Sequence, residues 1–231
     1  MCLASWQGPD TERGQVSADN MNLRDRLIIF TRYPEPGTTK TRLIPCLGPE
    51  GAADLQRQMT ARVLSQARAL RDRRRLDLEV RHEGGTDLLM RTWLGDGVDY
   101  VDQGEGDLGQ RMDRTLRDAL QQGAVAAVLI GSDIPGITSA LLAKAFAKLE
   151  AGKVVLGPAT DGGYYLIGLT ALDMAAVSAA IFADMPWGTS LVLQETCRRL
   201  VRLGLSYILL DPLTDIDRPE DLSLWEPYRH K

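Results

Sequence analysis

The chain has 231 residues, 44% of them hydrophobic and 25% charged, which is enough apolar material to bury a full core in one large domain. A net charge of −4 and an isoelectric point near 5.3 argue against a broad surface for nucleic acid or anionic membrane, so phosphate binding is expected to be local. No apolar run approaches the roughly 20 residues of a membrane span, and Cys2, Cys46 and Cys197 lack metal-ligand spacing, which predicts reduced thiols in a cytoplasmic protein.

Residues 1–22 are polar and aperiodic, with neither the basic start nor the apolar core of a signal peptide. They are expected to form a disordered tail ahead of a single domain over 23–231, and Met21 is a second candidate for the translational start. Residues 27–31 (LIIFT) read as a buried strand that feeds the loop RYPEPGTTKTRL, which begins at Arg32. Two prolines and a glycine hold off helix until Lys40 and Arg42 have been presented. With Arg32, free backbone amides and the hydroxyls of Thr38, Thr39 and Thr41, these cations form a phosphate cradle after the first strand of an α/β fold. The competing reading is a solvated basic turn.

Over 49–70 the apolar positions Ala52, Leu55, Met59, Val63 and Ala67 recur at helical spacing. The arginine-rich run 68–75 reads as a solvated helix end. Residues 76–80 alternate as a strand does, and His82 behind them reads as structural. The glycine-punctuated acidic stretch 98–107 reads as a loop leading into a helix over 108–120, with Asp107 as its N-cap. Its turns at Gly104 and Gly106 offer a second reading, a base or substrate pocket with Arg111 one turn into the helix.

The central stretch is LIGSDIPG, where an apolar strand over 126–130 stops at a small residue and delivers Asp133. A carboxylate on a Gly/Pro-bounded turn at the carboxyl end of a central strand stands where open α/β sheets bind ligands, so Asp133 is read as a metal ligand under a nucleotide diphosphate. Thr138 then caps a helix that ends at Gly152. A strand over 154–157 opens into PATDGGYYLIGL, with Asp161 on a turn whose Gly162 and Gly163 allow close approach of a ligand, followed by a strand over 164–169. The segment PWGTS, 186–190, precedes the helix carrying Leu193, Cys197, Leu200 and Leu203. There Thr189 and Ser190 read as a cap first and an anion or substrate site second. After a strand over 206–210, DPLTDIDRPEDL supplies Asp215 and Asp217 ahead of a short helix started by Pro219; Asp217 is the best candidate for a second metal carboxylate, the competing reading being a turn acid or cap, which Asp215 could serve equally well.

Alternating strands and helices predict a three-layer α/β/α fold, Rossmann-like, with a mostly parallel central sheet. Its rim would gather Lys40 and Arg42 on phosphates, with Asp133 and Asp217 holding Mg²⁺ or Mn²⁺ through oxygen ligands.

Six blocks in order, FTRYPEPGTTKTRL, QGEGDLGQRM, GSDIPG, GPATDGGYYLIGL, PWGTS and DIDRPEDL, resemble the glycosyltransferase-like family of GT-A fold, in the nucleotide-diphospho-sugar transferase superfamily, that includes arsenosugar-biosynthesis-associated proteins. The likeness runs from Arg26 to Leu222. More distantly, KTRL, SDIP and DIDRPEDL are similar to the guanylyltransferases of coenzyme F420 precursors and of the molybdenum dinucleotide cofactor. The resemblance implies a nucleotide over the sheet, Asp133 at the metal-binding acid, and Asp217 at the carboxylate before the last helix. Two departures stand out. Ser132-Asp133-Ile134-Pro135 replaces the usual Asp-x-Asp, and the first loop lacks the glycine-rich, arginine-containing signature of many nucleotidyltransferases.

Three functions are therefore weighed. A glycosyltransferase would move a sugar from a nucleotide-sugar to a small-molecule acceptor, with Asp161 orienting sugar or acceptor. A nucleotidyltransferase would join an NTP to a phosphorylated small molecule, with Lys40 and Arg42 stabilising pyrophosphate. A non-catalytic nucleotide-binding module is the third.

Overall fold

The computed structural model describes residues 24–228; the tail, with Cys2 and Met21, lies outside the described residues. Seven strands form one sheet in the order β3-β2-β1-β4-β6-β5-β7. They are β1 (Asp25–Arg32), β2 (Leu76–Glu83), β3 (Asp99–Asp102), β4 (Ala126–Gly131), β5 (Val154–Pro158), β6 (Tyr164–Thr170) and β7 (Tyr207–Leu209). Pairing is parallel except at β6, which runs antiparallel to both β4 and β5. The reversal follows from the short turn joining β5 to β6, because a parallel connection needs a long crossover.

The helices are α1 (Ile44–Arg71), α2 (Asp87–Leu94), α3 (Leu108–Gln121), α4 (Ser139–Glu150), α5 (Ala171–Phe182) and α6 (Val192–Arg202). Alternate strand residues face opposite sides. Leu27 and Ile29 of β1 pack with α1, α2 and α4 on one face, while Ile28 and Phe30 pack with α3, α5 and α6 on the other. The three-layer α/β/α expectation holds, and among the described residues no helix is long and apolar enough to cross a membrane.

Gly48, at φ 71°, interrupts α1, so its regular part begins at Pro49 as expected. Other local expectations change. The stretch 98–107 contains edge strand β3. Helix α6 has Leu191 at its N-cap with no side-chain cap; the Thr189 hydroxyl, two residues earlier, donates to Pro186 O at 2.8 Å and accepts from Leu191 N at 3.4 Å. Nor is the 68–75 run merely solvated. Arg68 donates to the Leu94 and Asp96 carbonyls, Arg71 to Gly97 O, and Arg74 pairs with Asp25 and Glu150. The Asp107 cap is present and forms a capping box with Gln110. His82 is buried between Gly84 O and Asp87.

A third apolar cluster lies beside the rim of the sheet. Leu43, Ala52, Leu55 and Met59 pack with Ile216 and Trp225 from the carboxyl-terminal segment. The start of α1 and the carboxyl-terminal segment are thereby brought together at that rim.

Candidate active site

The site stands where strand order reverses, since the chain leaves β1 toward β2 on one side while β4 lies on the other. In open α/β sheets that crevice is where ligands sit. Beyond β1 the buried Thr39 hydroxyl accepts from Glu35 N at 3.2 Å and donates to Tyr33 O at 3.0 Å. The loop is thereby closed on itself, and Lys40 enters a left-handed turn at φ 49° ahead of a 3₁₀ turn over Thr41–Leu43. The Lys40 side chain, only 8% exposed, puts Nζ 3.1 Å from Asp133 Oδ2 and 3.6 Å from Asp217 Oδ1. Arg42 pairs with the other Asp217 oxygen.

Three positions far apart in sequence meet here because their neighbours are buried together. Leu43, next to Arg42, and Ile216, next to Asp217, share the third apolar cluster. Ile216 N donates to Asp133 O at 3.0 Å, joining the two acidic segments backbone to backbone. The Asp221 carboxylate accepts from Asp217 N at 3.1 Å and Arg218 N at 2.8 Å, fixing the turn.

Beneath Asp133, Ser132 is locked in a buried polar network. Gln56 of α1 donates to Ser132 Oγ at 3.0 Å and lies 3.2 and 3.3 Å from the Thr60 and Thr31 hydroxyls. Ser132 in turn donates to Thr31 at 3.0 Å.

Asp161 sits at the tip of the β5–β6 hairpin and accepts from Gly163 N at 2.9 Å. Gly162, at φ 93°, could not carry a side chain, because a Cβ there would stand 2.5 Å from Ser190 Cα. Its carbonyl accepts from Leu193 N at 2.9 Å, holding the start of α6 against the turn. Gly162 and Gly163 thus shape the Asp161 turn. Asp215 reaches this rim as well. Burial pushes its carboxyl up, and the like charges of Asp133 and Asp161 push it further against the pull of Lys40.

Lys40, Arg42, Asp133 and Asp217 line one end of a cleft of about 490 Å³. Thr38 and Thr39 also line it, although Thr39 serves the loop and the Thr38 hydroxyl donates to Glu35 O at 3.2 Å. The other end is walled by Arg32, Glu83, Gln103 and Arg111 with Leu108 and Met112. The Gln103 amide donates to Thr31 O and Arg81 O and accepts from Arg111 at 2.8 Å. Thr189 is exposed and does not line the cleft.

Four site residues escaped the sequence reading. Asp215 lay inside a recognised block but looked like a turn acid. Glu83, Gln103 and Gln56 are single polar positions that no periodicity marks.

Asp133 and Asp217 place two oxygens within 3.6 Å of one cationic nitrogen, so the site is built to hold positive charge between them. Among the described residues no three His, Cys, Asp or Glu side chains form a ready-made metal cage. An all-oxygen pair nevertheless suits Mg²⁺ or Mn²⁺, which commonly takes one or two carboxylates and completes its shell with substrate phosphates and water.

A family profile described as "uncharacterized protein conserved in bacteria (DUF2064)" matches residues 63–189. No curated protein sequence matches the chain. Among solved structures, a candidate nucleotide-diphospho-sugar transferase from Desulfovibrio desulfuricans G20 is 32% identical, with a TM-score of 0.80 over 90% of this chain and 89% of that one. The 4-diphosphocytidyl-2C-methyl-D-erythritol synthase of Anaerococcus prevotii is 10% identical, with a TM-score of 0.59 over 90% and 99%. Glucosyl-3-phosphoglycerate synthase of Mycobacterium tuberculosis, held with Mn²⁺, UDP and phosphoglyceric acid, is 13% identical, with a TM-score of 0.53 over 95% and 80%. The chain has the fold shared by nucleotide-diphospho-sugar transferases and nucleotidyltransferases. These matches do not single out the arsenosugar-associated branch.

Proposed function

The chain belongs to the bacterial DUF2064 family, and we propose that it is a metal-dependent glycosyltransferase acting on a nucleoside-diphosphate sugar and a small-molecule acceptor. The observation that carries this reading is the convergence of Asp133 and Asp217 on Lys40, with Arg42 alongside, in a cleft of about 490 Å³, within the size range of small-molecule sites.

Bound between Asp133 and Asp217, Mg²⁺ or Mn²⁺ would act as a Lewis acid on the diphosphate. Lys40 and Arg42 supply further positive charge where the departing diphosphate gains its negative charge, and because their positions are fixed beforehand little reorganisation is needed. The acceptor's hydroxyl oxygen attacks the anomeric carbon. The bond from that carbon to the diphosphate oxygen breaks, and the electron pair leaves with the nucleotide. Asp161, exposed beside Asp215, would orient the sugar or acceptor and accept the acceptor's proton. Arg32, Arg111 and the Thr38 backbone border the nucleotide's path.

A second reading, nucleotidyl transfer, draws on one feature: a single carboxylate, in Ser132-Asp133-Ile134-Pro135, stands at the end of β4 where glycosyltransferases of this fold usually carry two. In that reaction a phosphorylated substrate attacks the α-phosphate of an NTP, and Lys40 and Arg42 stabilise pyrophosphate.

Product analysis separates the two. Incubated with Mn²⁺ or Mg²⁺ and a panel of nucleotide-sugars, the protein is expected to release nucleoside diphosphate. Pyrophosphate formed from an NTP would move the assignment to the second reading. Nucleotide binding without either product would make the chain a binding module. Asp133→Ala is expected to abolish metal-dependent nucleotide binding with an unchanged circular dichroism spectrum, and retained affinity in that variant would remove the metal assignment.

A further inference from the structure

The end of the cleft away from Asp133 is walled by charges in a fixed order. Arg32 and Glu83, the last residues of β1 and β2, are register partners. The Arg32 guanidinium lies 2.8 Å from Glu83 Oε1, and Arg111, one turn into α3, approaches Oε2 at 3.3 Å. Glu83 therefore stands between two guanidinium groups.

A carboxylate has about four lone-pair sites, so each Glu83 oxygen has taken one N–H and keeps capacity for another. Arg111 is braced from behind by Gln103 at 2.8 Å, and its Nε is a buried donor without a partner. Beside these groups Leu108 and Met112 line the same cleft and offer an apolar face to a flat ring. Strand order β2-β1-β4 separates this wall from the Asp133 loop by two strand spacings, about 10 Å. That is the kind of span a nucleotide covers between its base and its phosphates.

Resting on the reading of this cleft as a nucleotide site, we infer that the Arg32–Glu83–Arg111 row selects the 2,4-dioxopyrimidine edge shared by uracil and thymine. The row presents donor, acceptor, donor. The uracil edge runs O4, N3–H, O2, which is acceptor, donor, acceptor, so all three positions are answered. Guanine runs acceptor, donor, donor, and its amino group would face a guanidinium. Cytosine and adenine each turn a ring-nitrogen lone pair toward Glu83. Burial pushes the Glu83 carboxyl up, but the two flanking guanidiniums outweigh it and hold it below the usual carboxylate range, so the acceptor is present at neutral pH. The base is not dictated by the fold, because relatives of this architecture handle both UDP and CTP.

The test is titration of the full chain, in Mn²⁺, with UDP, dTDP, CDP, GDP and ADP. UDP and dTDP are expected to bind about tenfold or more tighter than the other three, the scale of one mismatched base edge; the ratio of UDP to dTDP shows whether the ribose 2′-hydroxyl and the ring methyl are also read. Glu83→Gln, nearly isosteric, is expected to narrow the gap between UDP and CDP several-fold, since the amide can turn its N–H toward the cytosine N3. Equal binding of all five diphosphates, or a preference for GDP, CDP or ADP, would overturn the base assignment and leave the transferase reading standing. Failure of every nucleotide to bind would overturn both.

Discussion

A lysine seldom enters the left-handed region, because its Cβ then crowds the following carbonyl at a cost of about 1–2 kcal/mol. Lys40 does so at φ 49°, and the result is that its ammonium turns inward between Asp133 and Asp217 instead of outward to solvent. Strained residues gather where function fixes their position. In Lys40→Ala the backbone strain remains and the charge goes. Diphosphate binding in Mn²⁺ is then expected to weaken by about 1.5–3 kcal/mol, the scale of a hydrogen bond to a charged group. Free Mn²⁺ should bind no more weakly than to wild type, because the two carboxylates lose a competing cation. Calorimetric titration reads both quantities, and equal diphosphate affinity in the two proteins would remove Lys40 from the cradle.

Helix α1 reaches the Asp133 turn through Gln56 and through Arg62, whose Nε donates to Pro135 O at 3.0 Å. Gln56 falls on the same face as Ala52, Met59 and Val63, yet it reaches past the apolar contacts to Ser132, the residue before Asp133. Gln56→Ala removes that link and leaves the Ser132 hydroxyl short of a partner in a buried place, so urea unfolding is expected to show a loss of about 1–3 kcal/mol. A change under about 0.5 kcal/mol would mean that the network does not hold the β4 end. The helix itself was legible because its apolar positions recur every three or four residues, and the buried strands were legible as short apolar runs. Asp133, Asp161 and Asp217 could be found because glycine or proline punctuates each of their turns. Gln56, Glu83 and Gln103 could not, since a buried amide or a strand-end carboxylate is defined by partners distant in sequence. Helix α2 carried signals that went unread, Thr86 as N-cap and Gly95 as stop, but eight residues give barely two helical turns of periodicity. Edge strand β3 buries only Tyr100 among its four residues, too little for alternation to show. Thr189 misled because a hydroxyl ahead of a helix is usually a cap, and here it stands two residues before the N-cap and closes the turn that begins at Pro186.

At the scale of the whole molecule, the cleft draws its walls from segments far apart in the described chain. Lys40 and Arg42 come from its first loop, Asp217 from its last segment and Asp133 from between, all at the edge of one seven-stranded sheet; Asp161 stands outside the cleft's lining. The core clusters on its two faces each run through strands from both halves of the chain, and Ile216 and Trp225 tie the carboxyl-terminal segment to α1. Nothing in that layout lets one half unfold while the other keeps its core. Residues 23–231 are accordingly expected to unfold as one cooperative unit, with far- and near-ultraviolet circular dichroism transitions that coincide. Binding at such a cleft stabilises the whole unit. With Mn²⁺ and nucleoside diphosphate at 100 times the dissociation constant, the gain is about 2.7 kcal/mol, or roughly 5–11 °C in melting temperature for a domain of this size. Chelation by EDTA should remove most of that shift, because the carboxylate pair then repels the phosphates it otherwise binds through the cation. Two resolved transitions, only one of them moved by ligand, would mean that the sheet is divided energetically and that the site belongs to one part of it.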